Sequence, residues 1–220
     1  MGSEINLLDL YPRSKRPIDE RAKLVTEAHR GIACQFGKEY FDGDRMYGYG
    51  GYYYNERFWK ATVKRFRDRY QLPDDGSVLD VGCAKGFMMH DFKTLMPSVT
   101  IAGIDISQYA YDNAIEDMKP FIRVGNANEL PYPDNSFDLV ISVNTVHNLP
   151  LRECKQALRE IQRVSRVHAF IVVDSWRNDA ERKGFLKWNL TAKTYMHVDD
   201  WVALFKEVGY EGDYYWFVAE

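Results

Sequence analysis

The chain has 220 residues, 45% hydrophobic and 28% charged, which suits one globular domain with a modest extension. Its net charge of −3 lacks the basic surplus of a nucleic-acid binder, and no run of about 18 apolar residues is available to span a bilayer. Three cysteines, Cys34, Cys83 and Cys154, have neither the even count of a disulfide framework nor the spacing of a metal site; with no signal peptide visible, a cytoplasmic protein is expected.

Near the N-terminus Arg13, Lys15 and Arg16, broken up by Pro12 and Pro17, read as a solvated tail. Residues 40–55 contain four glycines and six tyrosines. Glycine supplies mobility, and tyrosine supplies a flat apolar surface with a polar tip. The segment reads as a lid over a water-poor site, with Tyr47, Tyr49 and Tyr52 near the ligands, or else as a packing loop or dimer contact. Residues 1–55 are therefore expected to form a helical, Tyr/Gly-rich cap, and residues 56–220 the main domain.

From Glu56 to Gln71, Phe58, Trp59, Thr62, Val63, Phe66 and Tyr70 recur at helical spacing. Pro73-Asp74-Asp75-Gly76 is a turn. A strand over residues 77–82 leads into a helix over 86–96, then a strand over 99–104 and a helix over 107–118 with Ser107 as N-cap. Strands over 121–124 and 137–143 follow, the latter apolar apart from Asp138 and Ser142, as suits burial on both faces. A helix over 151–164, a strand over 169–173, an irregular stretch, a helix over 198–208 closed by Gly209 and a strand over 214–218 complete the chain. The alternation implies an α/β fold, a doubly wound and mostly parallel Rossmann-like sheet with helices on both faces. Such sheets bind ligands beyond the carboxyl ends of their strands.

Four segments sit at those ends. The first, Val78-Leu79-Asp80-Val81-Gly82-Cys83-Ala84-Lys85-Gly86, places small residues at 82, 84 and 86 before a helix N-terminus. The second ends at Asp105-Ile106-Ser107, where an acid can accept from two ribose hydroxyls. The third runs from Gly125-Asn126-Ala127 through Leu130-Pro131-Tyr132 to Ser136-Phe137-Asp138. The fourth is Asn144-Thr145-Val146-His147-Asn148. Their order resembles class I S-adenosylmethionine (SAM)-dependent methyltransferases, of the type 11-like small-molecule kind, over about residues 77–175.

That resemblance implies a SAM site built from Asp80, Gly82, Cys83, Ala84, Gly86, Asp105, Ile106, Asn126, Ala127 and Asn144, with S-adenosylhomocysteine as product. Ala84 and Asn126 depart from the family's glycine and acid. An amide can still accept from the adenine amine and donate to a ring nitrogen. His147, with an ordinary pKa near 6.5, is the candidate general base. Arg177, after the fifth strand, suits an acceptor carboxylate or phosphate. The expected acceptor is a small molecule of sugar, polysaccharide or antibiotic biosynthesis, methylated on a hydroxyl or carboxylate oxygen first and on an amine second. No metal, nucleic-acid or membrane partner is expected, and a homodimer is left open. The alternatives are a SAM- or nucleotide-binding module without turnover and an NAD-dependent oxidoreductase. The latter wants G-x-G-x-x-G, which Lys85 and Phe87 do not match.

Overall fold

The protein is described by a computed structural model over residues 2–12 and 17–219; the basic run Arg13, Lys15 and Arg16 lies outside the described residues. Among the described residues seven strands form the centre: β1 (Ser77–Val81), β2 (Thr100–Asp105), β3 (Ile122–Val124), β4 (Phe137–Val143), β5 (Ser165–Trp176), β6 (Met196–His197) and β7 (Asp213–Phe217). The order is β3-β2-β1-β4-β5-β6, and β7 also pairs with β5. All these pairings are parallel. The chain winds outward from β1 to β3, then returns to place β4 on the other side of β1. The crevice where the order reverses lies above β1 and β4.

Parallel strands need cover on both faces, and the apolar runs reflect this. Leu79, Val81, Val140 and Ile171 face one core, together with Cys154, Leu158 and Ile161 of the helix Leu151–Val164 and with Trp201 and Phe205 of the helix Val198–Val208. Val78, Leu139, Ile141 and Phe170 face the other. There Phe66 of the helix Glu56–Tyr70 meets Phe170 with ring centroids 5.2 Å apart and Phe92 of the helix Phe87–Leu95 at 6.3 Å.

Three expectations needed correction. The helix expected over 107–118 ends at Asp112, because the Ile115 N–H is taken by the Lys85 carbonyl instead of a helical one. The fifth strand is longer than 169–173, because its start pairs with β4 and its last two residues with β6. The stretch after it contains the helix Asp179–Trp188, whose N-cap Asn178 accepts from the Glu181 N–H.

The N-terminal region has two parts. Ile5 donates its N–H to the Tyr214 carbonyl, and Leu7 is buried in the second core, so this stretch extends the β7 edge. Three short helices follow: Ile18–Leu24, Glu27–Ala33 and Lys38–Asp42. In chain order the nine α-helices among the described residues are α1 to α9, so these three are α1 to α3 and the helix Asp179–Trp188 is α8. The α1 helix packs on α8, and α3 carries Phe41 into a small cluster with Ala84 and Ala110 above the first βα turn.

Candidate functional site

The glycine turn after β1 is built by backbone requirements. Gly82, Ala84 and Gly86 have φ of 86°, 48° and 78°, the left-handed region that glycine enters freely and alanine does not. A Cβ on Gly82 would lie 1.9 Å from the Thr145 hydroxyl oxygen, so the turn and the loop after β4 are in direct contact. The N–H groups of Gly82 and Cys83 donate to the Ile104 carbonyl. The Cys83 side chain is buried beside Gly103, leaving its backbone to the turn.

Two carboxylates flank this turn. Asp105 accepts from the Ala84 N–H and the Ser107 N–H, both at 2.8 Å. Burial raises its pKa, with these two hydrogen bonds opposing. Asp80 is buried at 4% exposure. Its carboxyl is pushed up to about 8, first by burial and then by Asp105. Neither Asp80 nor Asp105 takes part in an ion pair among the described residues. On the opposite wall, Asn144 (φ 53°) donates its N–H to Val172, while its Oδ1 is buried with no partner; Asn148 Oδ1 is in the same state. Buried acceptors left unmatched are rare and costly.

The third segment is positioned more loosely. Asn126 Oδ1 accepts from the Asn128 N–H at 3.2 Å, so the amide shapes its own turn and leaves Nδ2 available. Ala127 is buried, whereas Ile106 is 54% exposed. A groove of about 560 Å³, lined by Ile104, Arg123, Gly125, Asn126 and Glu129, opens beside the β3 edge.

His147 is held as a peg. It is 3% exposed, and its Nδ1 accepts from the Asp174 N–H at 3.0 Å. Nε2 lies 3.5 Å from Asp174 Oδ2. Burial lowers its pKa against the pull of Asp174. The lone pair that a general base would use is therefore engaged, and the ring ties the loop after β4 to β5. This geometry runs against the proton-accepting part expected for it.

Aromatic residues of the N-terminal region stand beside the crevice. Tyr49 and Tyr52 have ring centroids 4.4 Å apart, and Tyr52 stacks on Phe87 at 5.0 Å. The Tyr40 and Tyr49 rings stand 5.3 Å apart, edge to face. Burial pushes Tyr40 up to about 12. Tyr49 is driven well above its ordinary value, first by Tyr40 and then by burial; Tyr52 is raised by burial and then by Tyr49. The Asp105 charge adds to all three shifts. Tyr49 keeps 41% of its surface accessible.

A buried ion pair fastens the cap to the turn. Lys85 Nζ reaches both oxygens of Asp42 at 2.9 and 2.6 Å and donates to the Tyr52 carbonyl. Tyr109 donates to Asp42 at 2.7 Å. Burial pushes Asp42 upward, and hydrogen bonds from Lys85, the Tyr52 N–H and Tyr109 more than reverse it, leaving its pKa below the usual value.

The structure thus gathers Asp80, Gly82, Ala84, Gly86, Asp105, Asn144, Tyr49 and Tyr52 around one crevice. It does not bring in Tyr47, whose ring packs against His29 at 5.2 Å. It also leaves out Arg177, which pairs on the surface with Glu4 at 2.6 Å. Tyr40, Asp42, Lys85 and Tyr109 join the site without having been selected from the sequence. Among the described residues no group of His, Cys, Asp and Glu is arranged to hold a metal ion, and no helix is long and apolar enough to cross a membrane.

Comparison with known proteins places this crevice in context. Residues 79–173 match the profile of a methyltransferase domain. The methyltransferase GfsG of Streptomyces halstedii is 29% identical over 68% of this chain and 58% of its own length. The 27-O-demethylrifamycin SV methyltransferase of Amycolatopsis mediterranei is 30% identical over 61% and 53%. The chain spans about half the length of the curated relatives it matches. Among solved structures, the SpnF cyclase superposes over 94% of this chain and 74% of its own with a TM-score of 0.57 at 19% identity, a likeness of fold.

Proposed function

Starting from a chain whose residues 79–173 belong to the class I SAM-dependent methyltransferases, we propose that the whole protein transfers a methyl group from SAM to a small-molecule acceptor enclosed beneath the tyrosine cap. The observation that carries this reading is the pair of buried, unpartnered amide oxygens of Asn144 and Asn148, on the loop that touches the glycine turn at Gly82 beside the buried carboxyl of Asp80.

The residues present fit the cofactor. An unpaired acid pair and two orphaned amide oxygens, on Asn144 and Asn148, form an acceptor-rich cradle suited to a cationic amino acid end. Asp105 keeps acceptor capacity beyond its two backbone bonds, enough for ribose hydroxyls. Ile106, Ala127 and the Asn126 amide are assigned to the adenine, Gly82, Cys83 and Gly86 to the backbone turn. When bound, SAM supplies an electrophilic methyl group on a sulfonium.

The chain's own work is then orientation and exclusion of water, which suffices for a transfer between aligned groups. The cap tyrosines stay protonated because burial and neighbouring negative charge oppose their ionisation. They donate hydrogen bonds that aim an acceptor's lone pair and do not remove its proton. His147 fixes the wall in this reading. An oxygen acceptor, hydroxyl or carboxylate, is favoured over an amine. The relative named for 27-O-demethylrifamycin SV supports an oxygen acceptor and a biosynthetic setting.

Calorimetry with SAM, S-adenosylhomocysteine and NAD on the wild type and Asp105→Ala tests the proposal. Binding of the first two, lost in the variant and absent with NAD, is the expected result. Binding of NAD in their place would move the protein to the oxidoreductases. SAM binding without turnover on a panel of hydroxyl, carboxylate and amine acceptors would leave a binding module.

A further inference from the structure

Among the described residues of the cap, Arg21 carries buried polar atoms without a hydrogen-bond partner. It lies on α1 at 8% exposure, and its Nε and Nη2 have no hydrogen-bond partner. Its guanidinium sits 4.5 Å over the ring of Trp188, the last residue of α8. Asp19, two residues earlier on α1, is committed to Lys187 at 2.6 Å and does not serve Arg21.

The free edge has a defined shape. Nε–H and Nη2–H form the side-on fork of a guanidinium, which matches two oxygens of a carboxylate or phosphate. The same fork is filled elsewhere in this protein: Arg65 uses it on Asp9 at 3.2 and 2.8 Å, and Arg163 on Glu160 at 2.8 and 2.7 Å. In Arg21 it is empty and buried.

The surroundings add positive charge. Burial is the main influence depressing the Arg21 pKa, and Arg45 and Arg30 depress it further by repulsion. Arg45 donates to the carbonyls of Gly48 and Tyr49. Arg30 has a loose contact at 3.5 Å with Glu27, itself 91% exposed. Arg21 thus holds a buried guanidinium fork without a partner while Arg45 and Arg30 are near enough to repel it, which is unfavourable unless an anion joins it. Arg21 also lies near Tyr40, a neutral phenol of the cap.

We infer that Arg21, stacked on Trp188 and backed by Arg30 and Arg45, binds an anionic oxygen group, a carboxylate or a phosphate, carried by the methyl acceptor. The inference rests on the methyltransferase reading for the word acceptor, and on the buried empty fork for the anion. It gives Arg21 the part that the sequence suggested for Arg177.

The test titrates the full chain with sodium phosphate and, separately, sodium acetate at constant ionic strength, following melting temperature and calorimetric heat. At least one anion should saturate, and Arg21→Gln should weaken it by roughly tenfold or more, while Arg177→Gln leaves it unchanged. Saturation by phosphate alone assigns a phosphate ester, and by acetate alone a carboxylate. Failure of both anions to saturate, or equal affinity in Arg21→Gln, overturns the inference. Should that variant not fold by circular dichroism, Arg21→Lys keeps the charge without the fork; weaker binding supports the inference and equal binding refutes it. S-adenosylhomocysteine titrated into the same proteins separates the two ideas. Anion binding without S-adenosylhomocysteine binding condemns the methyltransferase reading, and the converse condemns the role of Arg21.

Discussion

Lowering the pH from 7.0 to 5.5 should weaken SAM binding by about thirtyfold, and Asp80 is the reason. In the free protein its carboxyl is pushed up to about 8, so near neutrality it is mostly protonated. A neutral carboxyl cannot pair with the cationic end of the ligand, so the apparent affinity follows the ionised fraction. That fraction is about one in ten at pH 7.0 and about one in three hundred at pH 5.5, a slope approaching tenfold per pH unit. The ligand's own α-amino group, with an ordinary pKa near 7.7–8.0, stays largely charged over this window. Calorimetry in two buffers of different ionisation heat should find close to one proton released per SAM bound near pH 6. Asp80→Asn should flatten the profile. A wild-type affinity that ignores pH over this range, or an unchanged slope in the variant, would refute the reasoning. The same shift acts on stability with a definite sign. Because the folded pKa is raised, the protonated acid contributes stability below the ordinary carboxylate value, and that contribution is lost as the pH rises through about 8. The ligand-free protein should therefore melt lower at pH 8 than at pH 5.5, apart from opposing groups, and Asp80→Asn should reduce that difference.

Asp42→Ala leaves Lys85 buried without its partner, which costs about 3–5 kcal/mol; the loss should appear as cap undocking, read by faster proteolysis within residues 17–55, and SAM should weaken in parallel. Protection equal to wild type would mean the ion pair does not fasten the cap. His147→Asn can still accept from the Asp174 N–H; it should keep methyl transfer within roughly tenfold of wild type with an unaltered pH profile, whereas a catalytic base would lose about 10²–10⁴. Gly82→Ala forces a Cβ to within 1.9 Å of Thr145 at φ 86°. It should destabilise by about 1–3 kcal/mol in thermal unfolding and abolish S-adenosylhomocysteine binding.

What could be read from the sequence was whatever depends on neighbours in sequence. The runs Val78–Val81 and Phe137–Val143 declare buried parallel strands, because every second residue must be apolar on each face. The glycine turn was legible for the same reason, since its backbone demands fall within five residues. The helix over 107–118 was misjudged because the competitor for its backbone, Lys85, is distant in sequence. The cap helices α1 to α3 have seven, seven and five residues, too short to stand alone, so tertiary contacts decide them. Lys85 stood in plain view within the turn, but its partner Asp42 is 43 residues away. Arg177 was chosen for its place after a strand, and a surface glutamate claims it. Arg21 carries no local signal, because its burial is created by α8.

The pairing of Ile5 with Tyr214 sets an order of assembly. Ser3 also reaches Asp213, 210 residues away. Contacts of such span close slowly, since a long loop must be organised before they are rewarded. Ser3 and Ile5, made before β7, must wait for it. Until then they have no edge to rest on, and α1 itself packs on the later helix α8. A growing chain can therefore form its glycine turn and two acidic residues long before it can seal them. Under the proposed function, a protein stalled or clipped before β7 would leave its methyl donor exposed.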